Sequence, residues 1–224
     1  TGMYRNYIKR LLDIICSLLG LIILSPLLLV VIVVMSFANK GAGVFFSQAR
    51  PGRGERLFNM YKFKSMTDER DAAGDLLPDA KRLTAMGRFI RKTSIDELPQ
   101  LWNVLRGDMS LVGPRPFLAT YRQIPTERRK VEIISVSIEG DAIEITPAQR
   151  VRYEVRPGIT GLAQINGRNK LSYQHRFEYD AWYVRHLSLA LDLKILLKTV
   201  GLTLRMKDVS SATGETSEIF TGEN

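Results

Sequence analysis

Between Ile14 and Ala38 the sequence has no charged residue, and almost every position is apolar. This run constrains the chain more than any other feature, because a segment of this kind has to be removed from water. At about 1.5 Å per helical residue it is long enough to cross a hydrocarbon layer of about 30 Å. Arg5, Lys9 and Arg10 ahead of it and Ser36-Phe37-Ala38 at its end imitate a cleavable secretory leader. A leader's apolar core is only about 7–15 residues, however, so an uncleaved anchor is expected over residues 3–40. Thr1 and Gly2, ahead of Met3, read as a cloning remnant.

The anchor need not cross. Arg5, Lys9 and Arg10 precede the run, while Lys40, Arg50, Arg53 and Arg56 follow it. Positive residues favour the cytoplasmic side, so both flanks ask for the same face. Pro26 removes one backbone N–H near the middle of the run and bends a helix there. The adjacent Ser25 can return a hydrogen bond to the freed carbonyl. By residues alone, a re-entrant helix broken at Ser25-Pro26 and a spanning helix stay equally open.

The remainder, 41–208, reads as one α+β domain, mostly helical with small β elements, followed by a polar tail at 209–224. Two short strands are expected at 44–48 and 57–66 around a Gly/Pro/Arg turn, then a charged loop and a helix through Leu83, Met86, Phe89 and Ile90. Residues 131–146 alternate β-branched and polar side chains around Glu139-Gly140-Asp141, which is a hairpin signal. Helical spacing returns over 173–186 and 189–205. In the latter, Leu193, Leu196, Leu197, Val200 and Leu204 form a face suited either to a core or to a bilayer.

Charge narrows the partners. Lys and Arg number 32 against 23 Asp and Glu, a net charge of +9. That suits phospholipid, phosphorylated substrates or nucleic acid and does not choose among them. One cysteine, Cys16, excludes an intrachain disulfide or a cysteine zinc site, and two histidines are too few for a His-rich metal centre.

The densest chemistry is "TSIDELPQLWN". Ser94-x-x-Glu97 is a capping-box pattern, so Asp96 and Glu97 can be read as simply opening a helix. With Ser94 as N-cap, Pro99 would cost an internal bond; with Asp96 as N-cap, it sits in the first turn. Adjacent carboxylates also point different ways and can do different work. "GPRP" and "RPGITG" each hold an arginine in a Gly/Pro loop, where backbone N–H groups and a guanidinium can approach phosphate oxygens.

Together "YKFKSM", "TSIDELPQLWNVLRGDMSLVGPRP" and "RPGITGLAQINGRN", behind a Ser-Pro-interrupted apolar segment, resemble the bacterial sugar transferase family. More narrowly they resemble its small monotopic polyprenyl-phosphate phosphoglycosyl transferases (PglC-like). The resemblance implies a membrane enzyme on the cytoplasmic face of the inner membrane, at the first membrane step of glycoconjugate or polysaccharide biosynthesis. Such an enzyme moves a sugar-1-phosphate from a UDP-sugar to a polyprenyl phosphate of undecaprenyl type and releases UMP. It further implies that Asp96 is the nucleophile, forming an aspartyl phospho-sugar, that Glu97 helps hold Mg²⁺, and that the anchor is re-entrant. Lys62, Arg91, Arg115 and Arg156 are then the candidate phosphate-binding cations, and Asp180 in "FEYDAWY" a candidate substrate contact. Membrane lipids are expected partners and nucleic acid is not. One departure from compact relatives is the inserted 131–146. A basic membrane adaptor and a metal-dependent phosphodiesterase are the rival readings of the same residues.

Overall fold

The apolar run folds as one α-helix, α1 (Lys9–Ala38), entered through a π-helical turn at Tyr4–Ile8, in a computed structural model that describes residues 2–124, 129–138, 141–167 and 171–204. The polar tail at 209–224 lies outside the described residues. The expected break at Ser25-Pro26 is not a break in the hydrogen-bonded helix, which runs through Pro26. The cause is local. Pro26 has no N–H for the carbonyl of Ile22, and the Ser25 hydroxyl donates to that same carbonyl at 2.7 Å.

Buried or half-buried positions recur along α1 at Lys9, Asp13, Ser17, Gly20, Leu24, Leu28, Val31 and Met35. These steps of three and four hold one face against the rest of the protein for the whole helix. The other faces stay open and apolar: Ile23 is 72% exposed and Phe37 81%. Both ends are fastened to the same domain. At the first end Lys9 Nζ meets Asp192 Oδ2 at 2.6 Å, Arg10 donates to the Val104 and Leu105 carbonyls, and Asp13 Oδ1 accepts from Ser110 Oγ and the Leu111 N–H. At the other end Val31 and Met35 pack with Phe63 and Ile90, and Asn39 Nδ2 donates to the Gly43 and Lys64 carbonyls.

The domain begins with an antiparallel hairpin, β1 (Phe45–Pro51) and β2 (Leu57–Phe63), in which Phe45 faces Phe63 and Pro51 faces Leu57. Alternation along β2 sends Phe58 and Met60 against Val104 and Met109, and Phe63 to the opposite face beneath the anchor. Two helices follow, α2 (Asp79–Arg82) and α3 (Ala85–Lys92); Thr84 caps α3 by accepting the Gly87 N–H. Next come α4 (Gln100–Arg106) and β3 (Ser110–Val112).

The 131–146 stretch does form a hairpin, β5 (Val131–Ile138) and β6 (Asp141–Glu144), with its tip, 139–140, outside the described residues. It is not a separate appendage. β4 (Leu118–Gln123), unforeseen in the sequence, pairs with β5 to make a three-stranded antiparallel sheet. Val131, Ile133, Val136 and Ile145 are buried with Tyr153, Tyr173 and Phe177, so the stretch supplies its own part of the core. After α5 (Pro147–Arg150), β7 (Gly158–Thr160) runs parallel to β3, and α6 (Leu162–Ile165), α7 (Tyr173–His186) and α8 (Leu189–Leu204) close the fold. On α8, Ile195 is buried, whereas Leu193, Leu197 and Val200 are exposed.

Asp192 on α8 ties these parts together. It accepts from Tyr4 Oη at 2.6 Å, from Lys9 Nζ and from Tyr183 Oη at 2.7 Å. Its partner Lys9 is almost as fully buried, and a charge left unpaired there keeps its whole desolvation cost. Asp192→Ala is therefore expected to lose about 3–5 kcal/mol of stability in urea unfolding of the detergent-solubilised protein. The paired change Lys9→Met with Asp192→Leu should lose much less. A single-variant loss below about 1 kcal/mol, the range of surface pairs, would show that the junction is held by something else.

Candidate active site

Asp96 and Glu97 do not open an α-helix. They lie in a 3₁₀ turn, Ile95–Glu97, entered from Ser94 in the left-handed region at φ 57°, and α4 starts only after Pro99. Ser94 makes no capping bond, so neither N-cap register expected from the sequence is realised. The dyad is thereby set just ahead of α4. Lys62 reaches it because side chains on a strand alternate. It is the next residue on the β2 face of Phe58 and Met60, which pack on α4 and its exit.

Asn103 fixes the spacing between these two elements. Its Oδ1 accepts the Tyr61 N–H at 3.0 Å and its Nδ2 donates to the Asn59 carbonyl at 2.7 Å, so a buried amide serves as a strand partner for β2. Nothing in the sequence pattern marked Asn103, since a buried amide on a helix has no periodic signature.

Arg115 arrives by a different route. Gly113 and Gly158 bring "GPRP" and "RPGITG" into direct backbone contact: a Cβ on Gly158 would stand 2.1 Å from the Gly113 nitrogen, and one on Gly113 2.5 Å from the Arg156 carbonyl oxygen. The Gly113 N–H donates to Thr160 O and the Gly158 N–H to Pro114 O. These glycines thus serve loop-to-loop packing, and their N–H groups, expected to face phosphate, are already spent on protein carbonyls.

The two carboxylates end in opposite states. Glu97 Oε1 takes Lys62 Nζ at 2.8 Å and Arg115 Nη2, while its Oε2 takes Arg115 Nη1 at 3.3 Å. Burial opposes its ionisation, but Arg115 and Lys62 outweigh that and hold its carboxyl well below the usual range. Asp96 has no hydrogen bond or ion pair among the described residues. Burial, with the Glu97 charge beside it, raises its carboxyl from 3.8 to about 6, against the opposing pull of Lys62, Arg115 and Arg91. One carboxylate is committed and ionised; its neighbour is uncommitted. Two environments thus set two roles, the pattern of an acid–base or nucleophilic pair.

Of the five residues expected around the dyad, Lys62 and Arg115 touch Glu97. Arg91 acts on Asp96 through its charge while its Nε donates to Ser65 Oγ. Arg156 is not among the charges acting on the dyad; it donates instead to the Gly107 carbonyl. Asp180 is 2% exposed and pairs with Arg152 at 3.1 Å, so in this arrangement it has no surface to offer a substrate. Arg152 lies 4.1 Å over the Phe117 ring and donates to the Arg115 carbonyl. The Asp180–Arg152 pair therefore braces the loop that carries Arg115. Arg50, close enough to Arg115 to feel its charge, is a further cation that the sequence reading missed. Its only cue was its place in "QARPGRG".

The donor set suits a hard divalent cation such as Mg²⁺, which takes one or two carboxylates and completes its shell with water and phosphate oxygens. Among the described residues no three His, Cys, Asp or Glu side chains converge, so the dyad would hold such an ion with help from a substrate and not in a closed protein cage. Lys62 and Arg115 neutralise Glu97.

The raised carboxyl has a stability consequence. The folded state holds the Asp96 proton more tightly than the unfolded chain, so this group's contribution worsens as pH rises from about 4 to 6. Asp96→Asn is expected to stabilise the protein by about 1–3 kcal/mol at pH 7 and by little at pH 4. Thermal unfolding at the two pH values measures it, and equal shifts at both would refute the raised ionisation.

The sequence pattern of the family described as bacterial sugar transferase matches residues 4–206. A sugar transferase of Bacillus subtilis, EpsL, is 47% identical over 215 residues, covering 96% of each chain. The undecaprenyl-phosphate galactose phosphotransferase of Salmonella typhimurium is 38% identical over 89% of this chain and 41% of its own length. The UDP-glucose:undecaprenyl-phosphate glucose-1-phosphate transferase of Klebsiella pneumoniae is 41% identical over 86% of this chain and 39% of its own. The chain thus spans about two fifths of these last two relatives.

Proposed function

The chain belongs to the bacterial sugar transferase family, and from that premise we propose that it transfers a sugar-1-phosphate from a UDP-sugar to a polyprenyl phosphate of undecaprenyl type. The observation that carries this reading is the split dyad: a free Asp96 carboxylate beside a Glu97 locked by Lys62 and Arg115. The two phosphotransferase relatives are named for undecaprenyl phosphate, which supports the acceptor class.

In the first step an Asp96 carboxylate oxygen attacks the β-phosphorus of the UDP-sugar. A new acyl O–P bond forms, the bond to the bridging oxygen breaks, and UMP leaves with that electron pair. In the second, a phosphate oxygen of the polyprenyl phosphate attacks the same phosphorus and the Asp96 oxygen departs, restoring the carboxylate. Arg115 and Lys62, already charged and aimed at one point, exchange part of their hold on Glu97 for the negative charge of the pyrophosphate. Mg²⁺ bound at Glu97 would supply further neutralisation of that charge. Arg91 draws Asp96 toward its ionised, nucleophilic form.

The setting follows from α1. A helix packed on its own domain at both ends, with its remaining faces apolar, suits a monotopic protein whose flanks share the cytoplasmic face. There the nucleotide sugar is dissolved and the acceptor's phosphate lies at the interface.

Incubation with UDP-sugars, polyprenyl phosphate and Mg²⁺ is expected to release UMP, and without the acceptor to leave one sugar-phosphate mass on the protein. Asp96→Asn should lose both signals, by at least about a thousandfold in rate. An Asp96→Asn protein that still turns over would sink the aspartyl mechanism. For topology, cysteines placed at Met3 and Lys40 are each expected to be labelled only from the cytoplasmic side. Labelling of either from the other side would overturn the monotopic reading.

A further inference from the structure

Arginines unconnected with the dyad gather where the first turns of α1 meet the β1–β2 turn and the loop before β7. A cleft there is lined by Arg5, Lys9, Arg10, Arg53 and Arg156, with Asp13 and Glu154 as its carboxylates. Each carboxylate already has partners. Asp13 accepts from Ser110 and Leu111, Glu154 pairs with Arg5 at 3.0 Å, and Lys9 is matched by Asp192. Arg10, Arg53 and Arg156 have no carboxylate partner among the described residues.

Helix capping accounts for part of this cluster. Arg10 donates to the Val104 and Leu105 carbonyls and Arg156 Nε to the Gly107 carbonyl, all at the C-terminal end of α4. Capping leaves both terminal nitrogens of Arg156 unused, and Arg53 makes no hydrogen bond among the described residues. The turn that carries the exposed Arg53 is tied down two residues on, where Glu55 pairs with Arg150 at 2.6 Å. Burial, Arg10 and Arg53 lower the pKa of Arg156 and outweigh the opposite pull of Asp13, so cationic repulsion prevails at Arg156 in this cleft. An anion would relieve that repulsion, and guanidinium forks match phosphate oxygens. The cleft also lies at the polar end of α1, immediately before the uncharged run that starts at Ile14, which is the level of lipid headgroups.

We propose that Arg10, Arg53 and Arg156 form a phosphate-binding site separate from the dyad, occupied by the headgroup phosphate of an anionic membrane phospholipid. A soluble phosphate offers the same chemistry, and the two sources can be told apart. Native mass spectrometry of the full detergent-solubilised protein, titrated with phosphatidylglycerol or phosphatidylcholine, reads retained lipid. Thermal unfolding with inorganic phosphate reads the soluble source. Wild type is expected to retain phosphatidylglycerol in preference to phosphatidylcholine. Arg53→Ala, a change at an exposed turn, should weaken that retention about fivefold. Asp96→Asn should retain the lipid as wild type does, which separates this site from the reaction. Equal retention by wild type and Arg53→Ala would overturn the proposal. So would a result in which only inorganic phosphate distinguishes them, since the occupant would then be soluble.

Discussion

A charge buried at the root of an apolar helix has to be paired, and here Asp192 does the pairing. It receives Lys9 and Tyr4 from the anchor and Tyr183 from α7, so one carboxylate joins the first helix of the chain to two successive helices near its other end. An aliphatic residue at Lys9 would leave the buried Asp192 carboxylate without its cation. A buried ion pair permits one register only, because any other strands a charge. With α1 fixed in register, Arg10 falls on the α4 carbonyls, Asp13 on Ser110 and Leu111, and Val31 and Met35 beneath Phe63.

That register also reaches the dyad. α4 is held at its C-terminal end by Arg10 from the anchor and along its side by Asn103 bonded to β2. The 3₁₀ turn bearing Asp96 and Glu97 lies directly before it, and β2 carries Lys62. The seating of the apolar helix and the geometry of the dyad therefore share one set of contacts. Arg115 is braced from the far side by Arg152 and Asp180. Cations supplied from two directions explain how Glu97 stays ionised while Asp96, one residue away, is pushed toward protonation.

Much of the fold was legible in local pattern. The bounds of α7 agree with its sequence period, and the β1–β2 hairpin and the Val131–Ile145 alternation appear close to where they were read. β4 escaped notice because Leu118–Gln123 mixes apolar and polar residues without clean alternation, and it becomes a strand by pairing with β5. The capping-box reading of Ser94 failed for a related reason. Pro99 cannot be accommodated deep in a helix, and the chain resolves the conflict with a separate 3₁₀ turn that no capping rule describes.

The sequence alone determined that an uncharged helix must leave water, that basic residues flank it on both sides, and that Asp96-Glu97 sits among phosphate-suited loops. Those are properties of neighbouring residues and of helix or strand period. Only the tertiary structure decided which carboxylate is engaged and which is left open. It also decided that Arg156 and Asp180 turn away from the dyad, and that Asn103, Arg152 and Arg50 surround the site. These choices rest on partners far apart in the chain, as when Lys9 meets Asp192 across 183 positions. Burial and charge at such contacts depend on what else packs there, which no local pattern records.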